Sequence, residues 1–279
     1  MMKLAFSTLG CPNYGLEEVA RAAREYGFAG VELRALGGGL DLLARPEFAP
    51  AAIEGTRRWL EGQGLPVCCV DTSCVFHDRE AEERRRQVES AVRHCELAAA
   101  LGSPLIRIFP DKIQPGATRE ETRVLIAESL RAVAERAPAG VRVGLETHGD
   151  FAAARETLEI VERAEHPAVA VIWDVANSLA AGSHVEEAAR ALAPHLAHVH
   201  LRDARPVEGR EHWLPVLAGR GLVPFGPAFD ALRAVGYEGF VSFEWEKFWH
   251  PGIEEPEVAL PDFARAAGRL LKVDARAGA

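Results

Sequence analysis

The sequence predicts an α/β protein folded as a single (β/α)8 barrel, and three observations carry that expectation. Short apolar runs alternate with amphipathic segments along the whole 279-residue chain, the pattern of strands that cross over through helices into a parallel sheet. Eight such units can be counted, and a chain of this length closes eight units into one barrel more readily than it divides into two cores. No G-x-G-x-x-G follows the first run, so an open dinucleotide-binding sheet lacks its phosphate-cradling turn.

In chain order, the first unit joins KLAFST (3–8) to LEEVARAAREYG, and the second joins GVELRA (30–35) to AAIEGTRRWLEGQG. PVCCVDTS (66–73) precedes EERRRQVESAVRHCELAAALG, and PLIRIF (104–109) precedes REETRVLIAESLRAVAERA. VRVGLETH (141–148) leads to AARETLEIVERA, and AVAVIWDV (168–175) to VEEAARALAPH. AHVHLRD (197–203) leads to AFDALRAVGY, and GFVSFEWE (239–246) to DFARAAGRLLKV. In the helical segments apolar residues return at i, i+3, i+4 and i+7, with Val124, Ile126, Ala127 and Leu130 on one broad stripe. Gly27, Gly64, Gly102, Gly140 and Gly236 close segments, as expected where a helix ends in a left-handed residue. No linker or low-complexity stretch interrupts the pattern, so residues 1–279 read as one domain with a frayed tail at 272–279.

Composition narrows the function classes. Hydrophobic residues make up 48% of the chain, enough for a large core, and the net charge is −9. The longest basic run, Arg84-Arg85-Arg86, sits among Glu80, Glu82, Glu83 and Glu89 on one helical pattern and reads as a solvated face. Nothing resembles a surface that neutralises a phosphate backbone, so no nucleic-acid partner is expected. The five cysteines are odd in number and none form C-x-x-C, which favours reduced thiols and packing roles, Cys11 and Cys74 included. MMKLAFSTLG is too short for a signal peptide, and no apolar run approaches the roughly 18 residues of a membrane span. A soluble cytoplasmic protein with no membrane partner is the expectation; the oligomeric state stays open, a homo-oligomer included.

The alternation inside the strands places the chemistry. In a parallel barrel one strand face packs on the helices, the other looks inward, and reactive groups collect at the C-terminal rim. In HVHLRDA, Val199 and Leu201 take the helix side, leaving His198, His200 and Arg202 inward. Alternate residues differ in height by about 6.6 Å, so His198 is the deeper, hydrogen-bonded core residue. The same reasoning turns Glu146 and His148 inward from VRVGLETH, Asp174 from AVAVIWDV, and Ser242, Glu244 and Glu246 from GFVSFEWE. Four successive strands thus offer Glu146, Asp174, His200 and Glu244 near the top.

Two carboxylates about 4 Å apart repel by about 4 kcal/mol at an effective dielectric near 20, so three in one cavity demand a counter-charge. A divalent cation supplies it and uses the imidazole. The alternative, neutralisation by Arg107, Arg202 and Lys247, leaves the histidine unexplained. Three oxygen donors and one imidazole suit Mn²⁺ first, with Mg²⁺, Co²⁺ or Zn²⁺ as alternatives; the lack of thiolates argues against structural zinc.

The phrases GLETHGD, IWDVAN, HVHLRDA and EGFVSFEWE, in that order and spacing, resemble the xylose isomerase-like TIM barrel superfamily. LAGRGLVPFGPAFDALRAVGYEGFVSFEWE resembles its closing signature, and the resemblance covers the whole chain. Members include sugar and sugar-phosphate isomerases and epimerases, hydroxypyruvate isomerase, inosose dehydratase and endonuclease IV. The resemblance carries the family's metal quartet onto Glu146, Asp174, His200 and Glu244, with Glu146 and Glu244 doubling as the acid/base pair. It also matches Arg202 to a basic residue that contacts substrate oxygens. Two positions depart from the pattern: Asn177 stands where many members have histidine, and the glycine-rich turn reads Gly219-Arg220-Gly221-Leu222 rather than G-x-G-E. Arg220 would favour an acidic or phosphorylated substrate. The nuclease branch needs more histidines than this acidic chain brings to the rim.

The implied reaction is proton transfer beside a carbonyl in a small carbohydrate or polyol, through a metal-stabilised enediolate. Return of the proton to the same carbon epimerises, return to the neighbouring carbon isomerises, and loss of a β-hydroxyl would make the chain a lyase of the inosose or dehydroshikimate dehydratase kind. A non-catalytic sugar-binding barrel is the reading from another class. Arg202, His148, Arg107, Asn177 and Trp249 are the substrate-binding candidates. Arg107 with Glu32 forms either a buried pair or a substrate clamp, and Asp71 has similar standing. Glu246 with Lys247 reads as an ion pair, and Trp213, Phe248 and Trp249 as an apolar wall or a subunit contact.

Overall fold

The computed structural model describes residues 1–209 and 212–272. Eight parallel strands close into a barrel: β1 (Lys3–Ser7), β2 (Gly30–Leu33), β3 (Val67–Val75), β4 (Leu105–Phe109), β5 (Arg142–Glu146), β6 (Val169–Asp174), β7 (Leu196–Leu201) and β10 (Phe240–Phe243). Going round the ring the order is β1, β10, β7, β6, β5, β4, β3, β2. All eight apolar runs are therefore strands, and the chain is a (β/α)8 TIM barrel. Around it lie α1 (Leu16–Tyr26), α2 (Ile53–Gly62), α3 (Ala81–Leu101), α4 (Arg119–Ala134), α5 (Ala154–Ala164), α7 (Val185–Leu192), α8 (Phe225–Ala234) and α9 (Pro256–Lys272).

Local sequence explains the helix ends. Thr118 caps α4: its hydroxyl accepts the Glu121 N–H while the Glu121 carboxylate accepts the Thr118 N–H, a reciprocal capping box. Gly27 ends α1 with φ +80° and donates its N–H to Ala23 O, a conformation that a side chain would strain. The stripe on α4 runs through Ile126, Ala127, Leu130, Val133 and Ala134, while Val124 is only half-buried, one step off the face that meets the barrel.

Three features depart from the expected pattern. A short helix, α6 (Val175–Ala180), starts directly after β6 because Asp174 accepts the Asn177 N–H as its cap. A two-stranded hairpin, β8 (Asp203–Arg205) with β9 (Leu214–Val216), extends the loop after β7. Helix α9 begins at Pro256 and runs through Pro261, where the sequence suggests a start; Ala259 and Leu260 are fully buried just ahead of Pro261, and that packing holds the first turn despite the missing donor. The tail expected at 272–279 lies, apart from Lys272, outside the described residues.

The core is a shell between strands and helices plus a small plug inside the ring. Cys69, Leu105 and Ile172 pack together there, with Ala197 against them. Gly144 lies so close to Ile172 that a Cβ would meet it at 2.7 Å. Above this plug the inward positions turn polar. All five cysteines are free and buried.

Candidate metal and acid–base site

The inward polar residues form two layers. In the deeper one, Glu32 of β2 accepts from two imidazoles through the same oxygen, His198 Nε2 at 2.7 Å and His200 Nε2 at 2.9 Å. Burial alone would raise the Glu32 carboxyl, but His200 and His198 hold it well below its ordinary range. As an ionised carboxylate it can only accept, so both Nε2 atoms donate. Asp71 of β3 sits beside it with its carboxyl pushed well above the usual range by burial, against the pull of Arg107 and with Glu32 adding to the rise. A proton held on Asp71 serves the carboxyl oxygens of this pair that no protein donor reaches, Glu32 Oε1 and Asp71 Oδ2.

One pleat higher, Glu146 (β5), Asp174 (β6), His200 (β7) and Glu244 (just beyond β10) converge. Each offers one ligand atom, and these atoms lie within 4.8 Å of one another. All four are buried, at 3% exposure or less. Two other groupings among the described residues, Glu32–His198–His200 and Glu32–Asp71–His200–Glu244, meet the same distance test, but both draw on Glu32, whose Oε2 already holds two imidazoles.

Two arginines enter the cluster. Arg107 gives Nη1 to Glu146 Oε2 at 2.8 Å and to Glu244 Oε1 at 3.5 Å, and Nη2 to the Thr72 carbonyl. Arg202 gives Nη1 to Asp174 and to Glu244, and Nη2 to Asn177 Oδ1 at 3.0 Å. Lys247 takes no part: its ammonium donates to the Pro251 and Ile253 carbonyls and to Glu255.

These ion pairs do not exhaust the charge. Five buried carboxylates (Glu32, Asp71, Glu146, Asp174, Glu244) face three buried guanidiniums (Arg34, Arg107, Arg202); with the proton on Asp71, one negative charge is left to the His200 imidazole or to a bound cation. Burial pushes Asp174 up to about 7, with Arg202 opposing and Glu244 and Glu146 adding. Glu146 stays below the ordinary range because Arg107 and His200 outweigh its burial. His200 Nδ1 supplies the second observation. It has no hydrogen-bond partner, although Glu244 Oε2 lies 3.3 Å and Glu146 Oε1 3.6 Å away. Burial lowers His200, but Glu244 and Glu32 carry it well above its ordinary range. With Nε2–H committed to Glu32, a proton therefore sits on Nδ1 toward the carboxylates, and its loss to a cation would leave a lone pair aimed at them. That arrangement suits a divalent ion held by Nδ1 and the three carboxylates, with Glu32 fixing the tautomer.

Of the remaining expected residues, His148 lines a cavity of about 160 Å³ together with Asn177, Arg202, Lys112 and Trp213. Its Nδ1 is buried without a protein partner and its ring lies 4.6 Å from Phe109. Asn177 spends its amide oxygen on Arg202. Trp249 is not gathered here; it is 52% exposed and packs edge-on against Phe248. Arg220 is exposed on the turn after β9. That turn is held by Asp203, which accepts from Gly221 and Val223 N–H.

The pairing of Arg107 with Glu32 is corrected. In the strand register Glu32 stands level with Cys69, and Arg107 with Asp71, two residues higher. Arg107 therefore reaches the rim carboxylates and Glu32 the deep histidines. A search for metal-capable side chains also passes over Arg34, although the alternation in GVELRA puts it inward, two residues beyond Glu32.

A barrel of eight parallel strands with its reactive groups at the C-terminal rim defines the class as a (β/α)8 protein with an enzyme-like mouth. The chain belongs to the xylose isomerase-like TIM barrel family, whose model matches residues 20–271. Among curated proteins it is 27% identical over 209 residues to the putative L-ribulose-5-phosphate 3-epimerase SgbU of Escherichia coli K12, covering 71% of each chain. It is 26% identical over 165 residues to the uncharacterized protein YihM of the same organism, covering 58% of this chain and about half, 48%, of that relative. Solved structures with the same fold include an L-ribulose 3-epimerase (TM-score 0.79, 19% identity, covering 100% of this chain and 99% of that one). Another is the IolI protein with a bound zinc atom (TM-score 0.78, 18% identity, covering 98% and 97%). No helix among the described residues is long and apolar enough to cross a membrane.

Proposed function

We propose that the chain is a divalent-metal-dependent isomerase or epimerase of a small carbohydrate or polyol, free or phosphorylated, acting by proton transfer next to a carbonyl. The observation that carries this reading is His200 Nδ1, unpartnered and buried amid Glu146, Asp174 and Glu244. An ion bound there supplies Lewis-acid stabilisation of negative charge on the substrate's carbonyl and adjacent hydroxyl oxygens, with Mn²⁺ the first choice for such a donor set.

The chain's own residues do the rest. Glu146 is kept ionised by Arg107 and His200, so it is able to accept the proton from the carbon beside the carbonyl. Glu244, across the cluster, would take a proton from solvent and deliver it from its own side, and Glu146 would release the abstracted proton to solvent. Arg107 touches both glutamates and keeps their carboxylates apart and oriented. Arg202, steadied by Asn177 and Asp174, faces the same cavity as His148, where substrate hydroxyls would find donors. The buried free cysteines are in keeping with a reducing, cytoplasmic setting.

The test is metal analysis of the purified protein followed by incubation of ketoses and ketose phosphates in heavy water. Label is expected at the exchanging carbon, only with metal present. Product without label would overturn the proton-transfer reading, and new ultraviolet absorbance from an enone would make the chain a lyase instead.

A further inference from the structure

Three arginines are buried among the described residues, and they are not equivalent. Arg107 and Arg202 each hold carboxylates. Arg34, at 2% exposure, makes no ion pair. Its single side-chain hydrogen bond is Nη2 to Ser73 Oγ at 2.8 Å, and its Nε and Nη1 are buried without a protein acceptor. Its backbone explains why it stays there: the Arg34 N–H donates to Thr8 Oγ1 at 2.8 Å, locking the residue at the end of β2 over Glu32. Burial and the like charge of Arg107 lower its guanidinium, against the pull of Asp71, Glu244 and Glu146. Those acids are taken up by Arg107, Arg202 and His200.

A buried guanidinium with two idle donors is costly unless something binds it. Nη2 has two hydrogens and Ser73 takes one, so one edge of the planar group, Nε with Nη2 or Nη1 with Nη2, stays open to two oxygens of one carboxylate or phosphate. Ser73 accepts from Arg34 and so keeps its own hydroxyl hydrogen to donate. It is exposed and lines a cavity of about 600 Å³, so solvent reaches the serine that Arg34 Nη2 bonds, while Nε and Nη1 lie buried behind it. We infer that Arg34 is the anion anchor of the barrel mouth, holding a carboxylate or phosphate carried by the substrate on the β2–β3 side, away from the rim quartet. The position of the rest of that substrate rests on the proposed reaction; the anchor itself does not.

The test is calorimetric titration of the full-length protein, metal-free and metal-loaded, with inorganic phosphate and with acetate as probes. Wild type is expected to bind one of the two saturably. Arg34→Met should weaken that binding about 10- to 100-fold, the range for losing a charge-assisted hydrogen-bonding pair. Arg34→Lys should fall between, keeping the charge but not the fork. Preference for phosphate assigns a phosphorylated substrate, and preference for acetate a carboxylate-bearing one. The inference is overturned if wild type binds neither probe, which decides the matter even if Arg34→Met fails to fold. It is also overturned if binding is insensitive to both substitutions, including phosphate captured only by the loaded metal. No arm measures turnover, so an enzyme inactive on every ketose would sink the proposed reaction and leave this result standing.

Discussion

Glu32 and Glu146 are both buried glutamates that face the barrel axis, and both touch His200, yet they live differently. Glu32 takes two imidazole N–H donors on one oxygen and has no arginine. Glu146 has Arg107 at 2.8 Å on one oxygen, while its other lies 3.6 Å from an imidazole nitrogen that bonds nothing. The deep layer leaves only Glu32 Oε1 and Asp71 Oδ2 without a protein donor, and one proton on Asp71 serves them. The rim layer instead leaves His200 Nδ1 and the Nε groups of Arg107 and Arg202 without hydrogen-bond partners among three carboxylates, which a structural network of buried polar groups avoids. One strand pleat separates the two layers, and His200 joins them, with Nε2 in one and Nδ1 in the other.

The largest expected effect lies in the rim. Glu146→Gln or Glu244→Gln should lower the rate of proton exchange by about 10²–10⁴-fold, the usual contribution of a positioned acid or base, with the fold intact by circular dichroism. A Glu244→Gln variant as active as wild type would remove the distinction between the layers. Next comes metal removal. An ion present at a hundred times its Kd contributes about 2.7 kcal/mol to stability, which for a chain of this size corresponds to a fall in Tm of about 4–6 °C on chelation. Re-addition should restore both Tm and activity, as followed by scanning calorimetry.

A sharper cut separates the two nitrogens of His200. Glu32→Gln leaves the rim quartet whole and removes the ionised acceptor that fixes Nε2–H. Its expected result is metal affinity weakened about 10- to 100-fold, measured by competition with a chromophoric chelator. His198→Gln touches the same carboxylate without touching the rim. It should cost about 1–3 kcal/mol of stability in urea unfolding, as a broken buried hydrogen bond does, while metal affinity changes less than in Glu32→Gln. Equal affinities in the two variants would mean that Glu32 does not act through the tautomer.

How much of this could be read from the chain follows the same division. The strand faces were legible because an inward polar residue between two apolar ones has only one place to go, as in His198-Val199-His200-Leu201. Height along one strand was legible, as for His198 below His200, but height between strands was not. Which inward residues meet across a ring depends on the stagger between strands, and so Glu32 pairs with histidines of β7 while Arg107 passes it by. Helix α6 and the β8–β9 hairpin escape notice because six and three residues are too few to display a period. Arg34 escapes for another reason. The alternation turns it inward, but an arginine is no metal ligand, and only the structure shows it buried with Thr8 holding its backbone.

The smallest effect tests the rival account of the rim. If the acids were merely an ion-pair network, every nearby cation would matter to it, Lys247 included. In the structure Lys247 is tied to its own loop through Pro251, Ile253 and Glu255, and it bonds none of the quartet. Lys247→Met should therefore leave metal content and proton exchange within about twofold of wild type, and cost at most about 1 kcal/mol of stability, since Glu255 is largely exposed and exposed ion pairs contribute little. Measured beside the glutamate variants, it separates charge in general from charge aimed at one point. Exchange that falls with Lys247 as steeply as with Glu244 would mean that the rim is a diffuse electrostatic network, and the contrast between the two layers would lose its basis.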